Sequence, residues 1–191
     1  MFGATLLLLY SIRVPEAAGL RVLFTRQQIS ARVAELAEQI SREFAGDSVL
    51  LLGVLQGATI FMADLARALT IGANFDFIGV ASYGKSTQSS GEVRLTKDLD
   101  QSVQGRNVIV VEDILDTGLT LNFIRRMLLT RQPKNLRVAA LLDKPSRRVQ
   151  LFDADYVGFT IPDEFVVGYG MDFAEQYRNL PDICVLSPRP E

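Results

Sequence analysis

The chain has 191 residues, 22% of them charged, a formal net charge of -2 and an isoelectric point near 5.3. A length of this order suits one domain with a real core, and the mild acidity gives no general nucleic-acid footprint. Histidine is absent and Cys184 is the only cysteine, which excludes Ser-His-Asp and Cys-His catalysis, imidazole zinc sites, thiolate clusters and an intrachain disulfide.

The chemistry left open rests on carboxylates, lysine, hydroxyls, backbone groups and a hard cation such as Mg2+. A cytosolic setting is the expectation for so cysteine-poor a chain. Near the start, residues 6–9 are apolar, but no basic segment precedes them and Arg13 and Glu16 follow soon after. The stretch is too short for a membrane span and poor as a secretory signal. An extended or upstream-started N-terminus is expected instead.

Ile29, Val33, Leu36, Ile40 and Phe44 recur at helical spacing, which predicts an amphipathic helix over 26–44 with Thr25 as its cap. A strand over 49–55 leads to a Gln56-Gly57-Ala58 corner, and Ile60, Phe61, Leu65 and Leu69 outline a second helix. Residues 76–83 read as a strand, 84–91 (GKSTQSSG) as a polar flexible loop, and 92–97 as a return strand. Together they form a two-stranded flap.

Val108 to Val111 form a continuous β-branched run, the pattern of a parallel strand covered on both faces. Glu112, Asp113 and Asp116 stand where that strand is expected to end. Asp116-Thr117-Gly118-Leu119-Thr120 then opens a helix marked by Phe123, Ile124, Met127 and Leu128 and stopped by Pro133. Strands follow over 137–142 and 156–159, with a mixed tail over 161–172 and an apolar run over 184–186. The alternation of strands and helices predicts an α/β fold with a mostly parallel sheet. The tail predicts a small C-terminal lobe that combines with chain near the N-terminus.

The acidic strand end and the turn after it carry the strongest chemical signal. Gly118 lets a ligand approach the backbone closely, while Thr117, Thr120 and successive N–H groups offer donors to a phosphate. The same Asp and Thr also suit an ordinary helix cap. Glu112 and Asp113 are adjacent, so on extended backbone their side chains diverge; to serve one diol or cation, the chain must turn there. Asp116 suits either a general base or a cap. Ser82, Tyr83 and the loop after them suit a cover that excludes water from a reactive centre, or an ordinary solvent loop. Lys144 can donate to a ligand carbonyl, and Phe165 can stack on a flat ring. Asp172 can join a cation. Each of these three has an equally ordinary surface or core role.

At VEDILDTGLTL, 111–121, the chain resembles the purine phosphoribosyltransferases of the hypoxanthine-guanine group. The resemblance spans about 21–187 and includes LLGVLQGA at 51–58, SYGKSTQSSGEV at 82–93, LLDKPSRR at 141–148 and IPDEFVVGYGMDFAEQYRNLPDICVL at 161–186. It implies the type I phosphoribosyltransferase fold, one domain over 21–191 after an atypical extension over 1–20, with 153–191 contributing a purine-binding hood.

By the same resemblance, Glu112 and Asp113 meet the ribose hydroxyls of phosphoribosyl pyrophosphate, and Asp116 stands near purine N7 as general base. Asp116, Thr117, Gly118, Leu119 and Thr120 cradle the 5′-phosphate beside Leu115. Gln56 and Gly57 form the pyrophosphate loop, which in such proteins often has a cis peptide, and Arg178 contacts pyrophosphate. Ser82 and Tyr83 belong to the closing catalytic loop. Lys144, Ile114, Phe165, Val166 and Asp172 take the purine, and Mg2+ is held by Glu112, Asp113 and Asp172.

The implied reaction transfers the 5-phosphoribosyl group to N9 of hypoxanthine, and of guanine, releasing pyrophosphate. The implied assembly is a homodimer or homotetramer, with no membrane or nucleic-acid partner. Gln56 stands where some relatives have lysine, which weakens any claim for side-chain charge there. Two other readings share the acidic turn: a xanthine-preferring transferase and an RNA-binding regulator of the pyrimidine-operon type. DKPSRR and IPDEFVVGYGMDF favour purine catalysis.

Overall fold

The computed structural model describes residues 19–82 and 93–187. The chain begins in a short strand, β1 (Leu20–Phe24), and enters helix α1 (Arg26–Glu43). Thr25 caps that helix as expected, and Gln28 reaches back to the Thr25 N–H at 2.9 Å to complete a capping box. Strand β2 (Ser48–Leu55), helix α2 (Thr59–Ala68), and strands β3 (Gly72–Ser82) and β4 (Val93–Lys97) follow. After them come β5 (Asn107–Leu115), helix α3 (Leu119–Leu129), β6 (Asn135–Asp143), a 3-10 turn at Pro145–Arg147 and β7 (Tyr156–Thr160). Two short strands, β8 (Val166–Val167) and β9 (Ile183–Leu186), close the sequence of elements.

Six strands form the main sheet in the order β4-β3-β2-β5-β6-β7. All neighbours run parallel except β4, which folds back antiparallel on β3. The expected flap is therefore present at its base; Tyr83 and residues 84–92 lie outside the described residues. A second sheet, β1-β9-β8, is antiparallel and joins the first strand to the C-terminal lobe. No helix among the described residues is long and apolar enough to cross a membrane.

The unbroken apolar runs of β2 and β5 are explained by cover on both faces. On one side Ile29, Leu36 and Ile40 of α1 and Phe61 and Leu65 of α2 pack with Leu51, Ile109 and Val111. On the other, Leu121, Ile124 and Leu128 of α3 pack with Leu50, Leu52, Val108 and Val110. Each such side chain contributes about 1.5–3 kcal/mol on leaving water. The fully buried centre of the sheet thus anchors β5 and leaves its carboxyl end to carry the site.

One expectation changes. The strand does not stop after Val111: its pairing with β6 runs on through Glu112↔Ala140, Ile114↔Leu142 and Leu115↔Asp143. The chain makes no turn between Glu112 and Asp113, and the two carboxylates lie on opposite faces of the sheet.

Candidate active site

The turn after β5 is built so that its carbonyls face inward. Leu115 O accepts the Lys144 N–H at 2.9 Å, and Thr117 O accepts the N–H groups of Val149 and Gln150, both at 3.0 Å. Asn122 Nδ2 donates to Gly118 O at 3.0 Å and to Leu151 O at 3.2 Å. The backbone N–H groups of Asp116, Thr117 and Gly118 find no acceptor among the described residues. They stand with the open first turn of α3 as a ready anion site. Gly118 is required there on two counts. Its φ is 82°, and a Cβ would stand 2.4 Å from Gln150 O.

Asp113 faces the corner after β2. A Cβ on Gly57 would lie 1.7 Å from Asp113 Oδ2, so only glycine lets the two segments meet. The Leu55–Gln56 peptide is cis, as the resemblance implies. Gln56 is exposed, and its carbonyl accepts the Thr59 N–H at 3.2 Å. A further layer closes on Gly57: a Cβ on Gly170, whose φ is 102°, would stand 2.2 Å from Gly57 O. Arg178 holds this hood turn by donating from Nη1 to Gly170 O at 2.7 Å and pairing with Asp172 at 2.7 Å.

Glu112 shares the α3 face of the sheet with Val108 and Val110. It is 9% exposed, and its Oε2 has no hydrogen-bond partner. Burial, and then the charge of Asp113, push the Glu112 carboxyl well above its usual range. Burial pushes Asp113 up to about 6, opposed by the Ile114 N–H and by Arg178, with Asp172 adding to the rise. An acid raised in the folded state costs stability as pH climbs above its unfolded value of about 4.3. Glu112→Gln should therefore melt about 2–6 °C above the parent at pH 8, with the gap closing below pH 4. Calorimetric melts across that range check the sign.

Asp113 also lines a cleft of about 430 Å³ with Ile114, Asp116, Lys144, Arg147, Asp163, Phe165, Val166, Met171 and Asp172. Glu112 is not part of that lining. Lys144, only 7% exposed, sets its Nζ 4.0 Å from Asp163. Asp116 accepts from Arg147 Nε at 3.3 Å, and Arg147 also lies 3.7 Å from Asp163. Phe165 is exposed over the cleft and meets Phe173 edge-on at 5.6 Å. Val166 is buried in β8, where it pairs with Val185.

The structure thus gathers Asp113, Asp116, Ile114, Lys144, Phe165, Val166 and Asp172 around one cleft, and the acceptor-free amides of Asp116, Thr117 and Gly118 begin at one of its lining residues. Ser82 ends β3 opposite Val93. A larger, mostly apolar groove of about 710 Å³ between α1, α2 and Tyr169 holds none of the acidic-turn residues. Arg147, Arg148, Asp163 and Gly170 had no role in the sequence reading. The available signal was the Arg-Arg pair directly after Lys144-Pro145-Ser146, and the glycine pair flanking Tyr169.

No group of three or more Asp, Glu or Cys side chains among the described residues could by itself hold a metal ion. The oxygen donors Asp113 and Asp172 instead fit a hard cation that takes its other ligands from water and substrate phosphates, as Mg2+ does.

An acidic strand end followed by a turn with acceptor-free amides, set beside a cleft, is the arrangement the phosphoribosyltransferase resemblance leads one to expect. The phosphoribosyl transferase domain family matches residues 22–174. The chain is 51% identical over 174 residues to the hypoxanthine-guanine phosphoribosyltransferase of Mycobacterium avium, covering 88% of this chain and 86% of that one. It is 48% identical over 168 residues to the protein of that name from Bacillus subtilis, covering 88% and 93%.

Among solved structures, a hypoxanthine-guanine phosphoribosyltransferase from Bacillus anthracis superposes with a TM-score of 0.84 at 48% identity, over 87% of this chain and 98% of that one. A hypoxanthine phosphoribosyltransferase from Staphylococcus aureus gives 0.88 at 42% identity, over 93% and 97%. The chain belongs to the hypoxanthine-guanine phosphoribosyltransferase family, and its sheet and hood are the type I fold of that family.

Proposed function

We propose that the protein transfers the 5-phosphoribosyl group of phosphoribosyl pyrophosphate to N9 of hypoxanthine and guanine. The observation that carries this reading is the junction of two half-sites. Outward amides at 116–118 suit a phosphate, and the adjoining cleft presents Lys144, Phe165 and Asp116 to a six-oxopurine.

In the reaction the bond from ribose C1 to pyrophosphate breaks and N9 bonds to C1. The purine loses one proton, which the Asp116 carboxylate accepts at N7. Lys144 donates to the 6-oxo group, Phe165 stacks on the ring, and Ile114 and Val166 border it. The loop Asp116–Thr120, next to Leu115, holds the 5′-phosphate, led by the acceptor-free amides of Asp116, Thr117 and Gly118, with Leu119 and Thr120 completing the loop. Asp113 accepts from the ribose hydroxyls. Glu112, on the other face of the sheet in this structure, would reach them only if the backbone at the strand end changed.

Gln56 and Gly57 offer backbone donors to pyrophosphate, with Arg178 beside them. Mg2+ bound with the substrate would be held by Asp113 and Asp172, with Glu112 on the far face of the sheet as this structure stands, and would offset charge on the departing pyrophosphate. Ser82 and Tyr83 serve the closing loop that keeps water from C1. The segment 153–191 with β1 forms the hood over the base. A cytoplasmic homodimer or homotetramer is the assembly that fits this reading.

Steady-state comparison of hypoxanthine, guanine and xanthine tests the reading. Transfer to hypoxanthine and guanine is expected; transfer to xanthine alone would reassign the base, and failure of all three would overturn the proposal. Lys144→Ala should raise the KM for hypoxanthine about 10–100-fold and leave that for phosphoribosyl pyrophosphate within threefold, because the lost donor faces only the base. Equal losses for both substrates would contradict that placement.

A further inference from the structure

The segment 144–152 leaves β6, makes the 3-10 turn, and returns across the phosphate turn. Arg148 lies at the crossing with its side chain 13% exposed. Its guanidinium meets backbone from three separate places. Nη1 donates to Leu115 O at 2.8 Å, Asp116 O at 2.5 Å and Lys144 O at 3.1 Å. Nε donates to Phe152 O at 3.2 Å, and Nη2 pairs with the Asp143 carboxylate. The buried charge thus has both a counter-ion and a set of carbonyl acceptors, the condition under which such a charge is tolerated.

These acceptors are not arbitrary carbonyls. In a trans peptide the C=O and N–H point in opposite directions. Drawing Leu115 O toward Arg148 therefore turns the Asp116 N–H outward, and drawing Asp116 O inward turns out the Thr117 N–H. The next residues complete the pattern, since Val149 and Gln150 hold Thr117 O and so direct the Gly118 N–H outward. The amides of Asp116, Thr117 and Gly118 are those whose preceding carbonyls this segment captures, and none of the three has an acceptor among the described residues. The same guanidinium also holds the carbonyl of Lys144, which fixes the backbone from which the buried lysine side chain departs.

We propose that Arg148 is the positioning residue that sets both half-sites at once, aiming the phosphate amides and locating the purine-reading lysine. The inference rests on the roles assigned above to Lys144 and the 116–120 turn. It goes beyond them by making one guanidinium the mechanical link between the two substrates. A flat fork with five donors can hold acceptors in several directions, whereas the point charge of lysine cannot.

Arg148→Lys tests this, because it keeps the charge beside Asp143 and loses the fork. Both KM values should rise about tenfold or more in a protein with unchanged circular dichroism, with kcat falling less than either KM rises. The double variant Lys144→Ala with Arg148→Lys supplies a readout that a purely structural role would not move. Its hypoxanthine KM should match that of Lys144→Ala alone, while its phosphoribosyl pyrophosphate KM stays raised. Both KM values within twofold of the parent, or fully multiplicative effects on hypoxanthine in the double variant, would overturn the proposal.

If Arg148→Lys does not fold, Asp143→Asn serves in its place, since it loosens the guanidinium without deleting it. It should raise both KM values severalfold, and unchanged values would overturn the proposal. Calorimetric titration of phosphoribosyl pyrophosphate separates this inference from the reading beneath it. A parent protein without purine transfer would overturn the functional reading. An Arg148→Lys dissociation constant within twofold of the parent would overturn the role of Arg148.

Discussion

Gly118→Ala should lose more than 100-fold in kcat/KM, chiefly through phosphoribosyl pyrophosphate, and should lower stability by about 1–3 kcal/mol. The backbone there has φ 82°, a left-handed geometry costly for any residue with a Cβ. The methyl would also press on Gln150 O, which cannot yield easily because Gln150 N is tied to Thr117 O at 3.0 Å. Relief requires the turn and the 144–152 segment to separate, which swings the outward amides away from the phosphate. Titration of phosphoribosyl pyrophosphate together with a urea melt checks both parts. Normal affinity in the variant would remove the turn from the phosphate site.

Asp116→Asn should lower kcat about 10²–10⁴-fold and change phosphoribosyl pyrophosphate binding less than threefold. The amide keeps the size and the Gly118-side backbone of the turn, and it loses the capacity to take a proton. It also ends the ion pair with Arg147, an exposed contact worth under about 1 kcal/mol, so folding should be little affected. Rapid-quench turnover at saturating substrates is the measurement. Unchanged turnover would exclude Asp116 as the base.

The periodic parts of this fold were legible because burial imposes them. The predicted helix over 26–44 and the observed Arg26–Glu43 agree to a residue, since five apolar side chains at helical spacing admit one buried face. The β5 turn was legible because its own residues carry its geometry: Gly118 alone allows the positive φ. The strand end was misplaced for a physical reason. Polar side chains do not end a strand whose backbone still pairs, and β5 keeps its ladder to β6 as far as Leu115. That ladder sends Glu112 to the face away from the cleft, an outcome the sequence reading named as the alternative to a turn.

β8 has two residues, too few for a periodic signal, and takes its place only through β9. The Arg-Arg pair marked Arg148 in the sequence, but for a different reason its contacts were not legible there. Its acceptors are backbone carbonyls, and one of them lies 33 positions away. Nothing in a neighbouring side chain marks such a partner. Gly170 is similar, being required by a segment distant in sequence; Gly57 was placed in the pyrophosphate loop from the sequence, but its close approach to Asp113 was not legible there.

The central claim is that one cleft joins a phosphate turn to a purine pocket and moves the ribose phosphate between them. Phosphorus NMR of the wild-type protein with hypoxanthine, phosphoribosyl pyrophosphate and Mg2+ tests it most directly. The account predicts equal amounts of a nucleoside 5′-monophosphate and pyrophosphate, with no product when hypoxanthine is omitted. Pyrophosphate release without nucleotide, or an unchanged spectrum with both hypoxanthine and guanine, would contradict it.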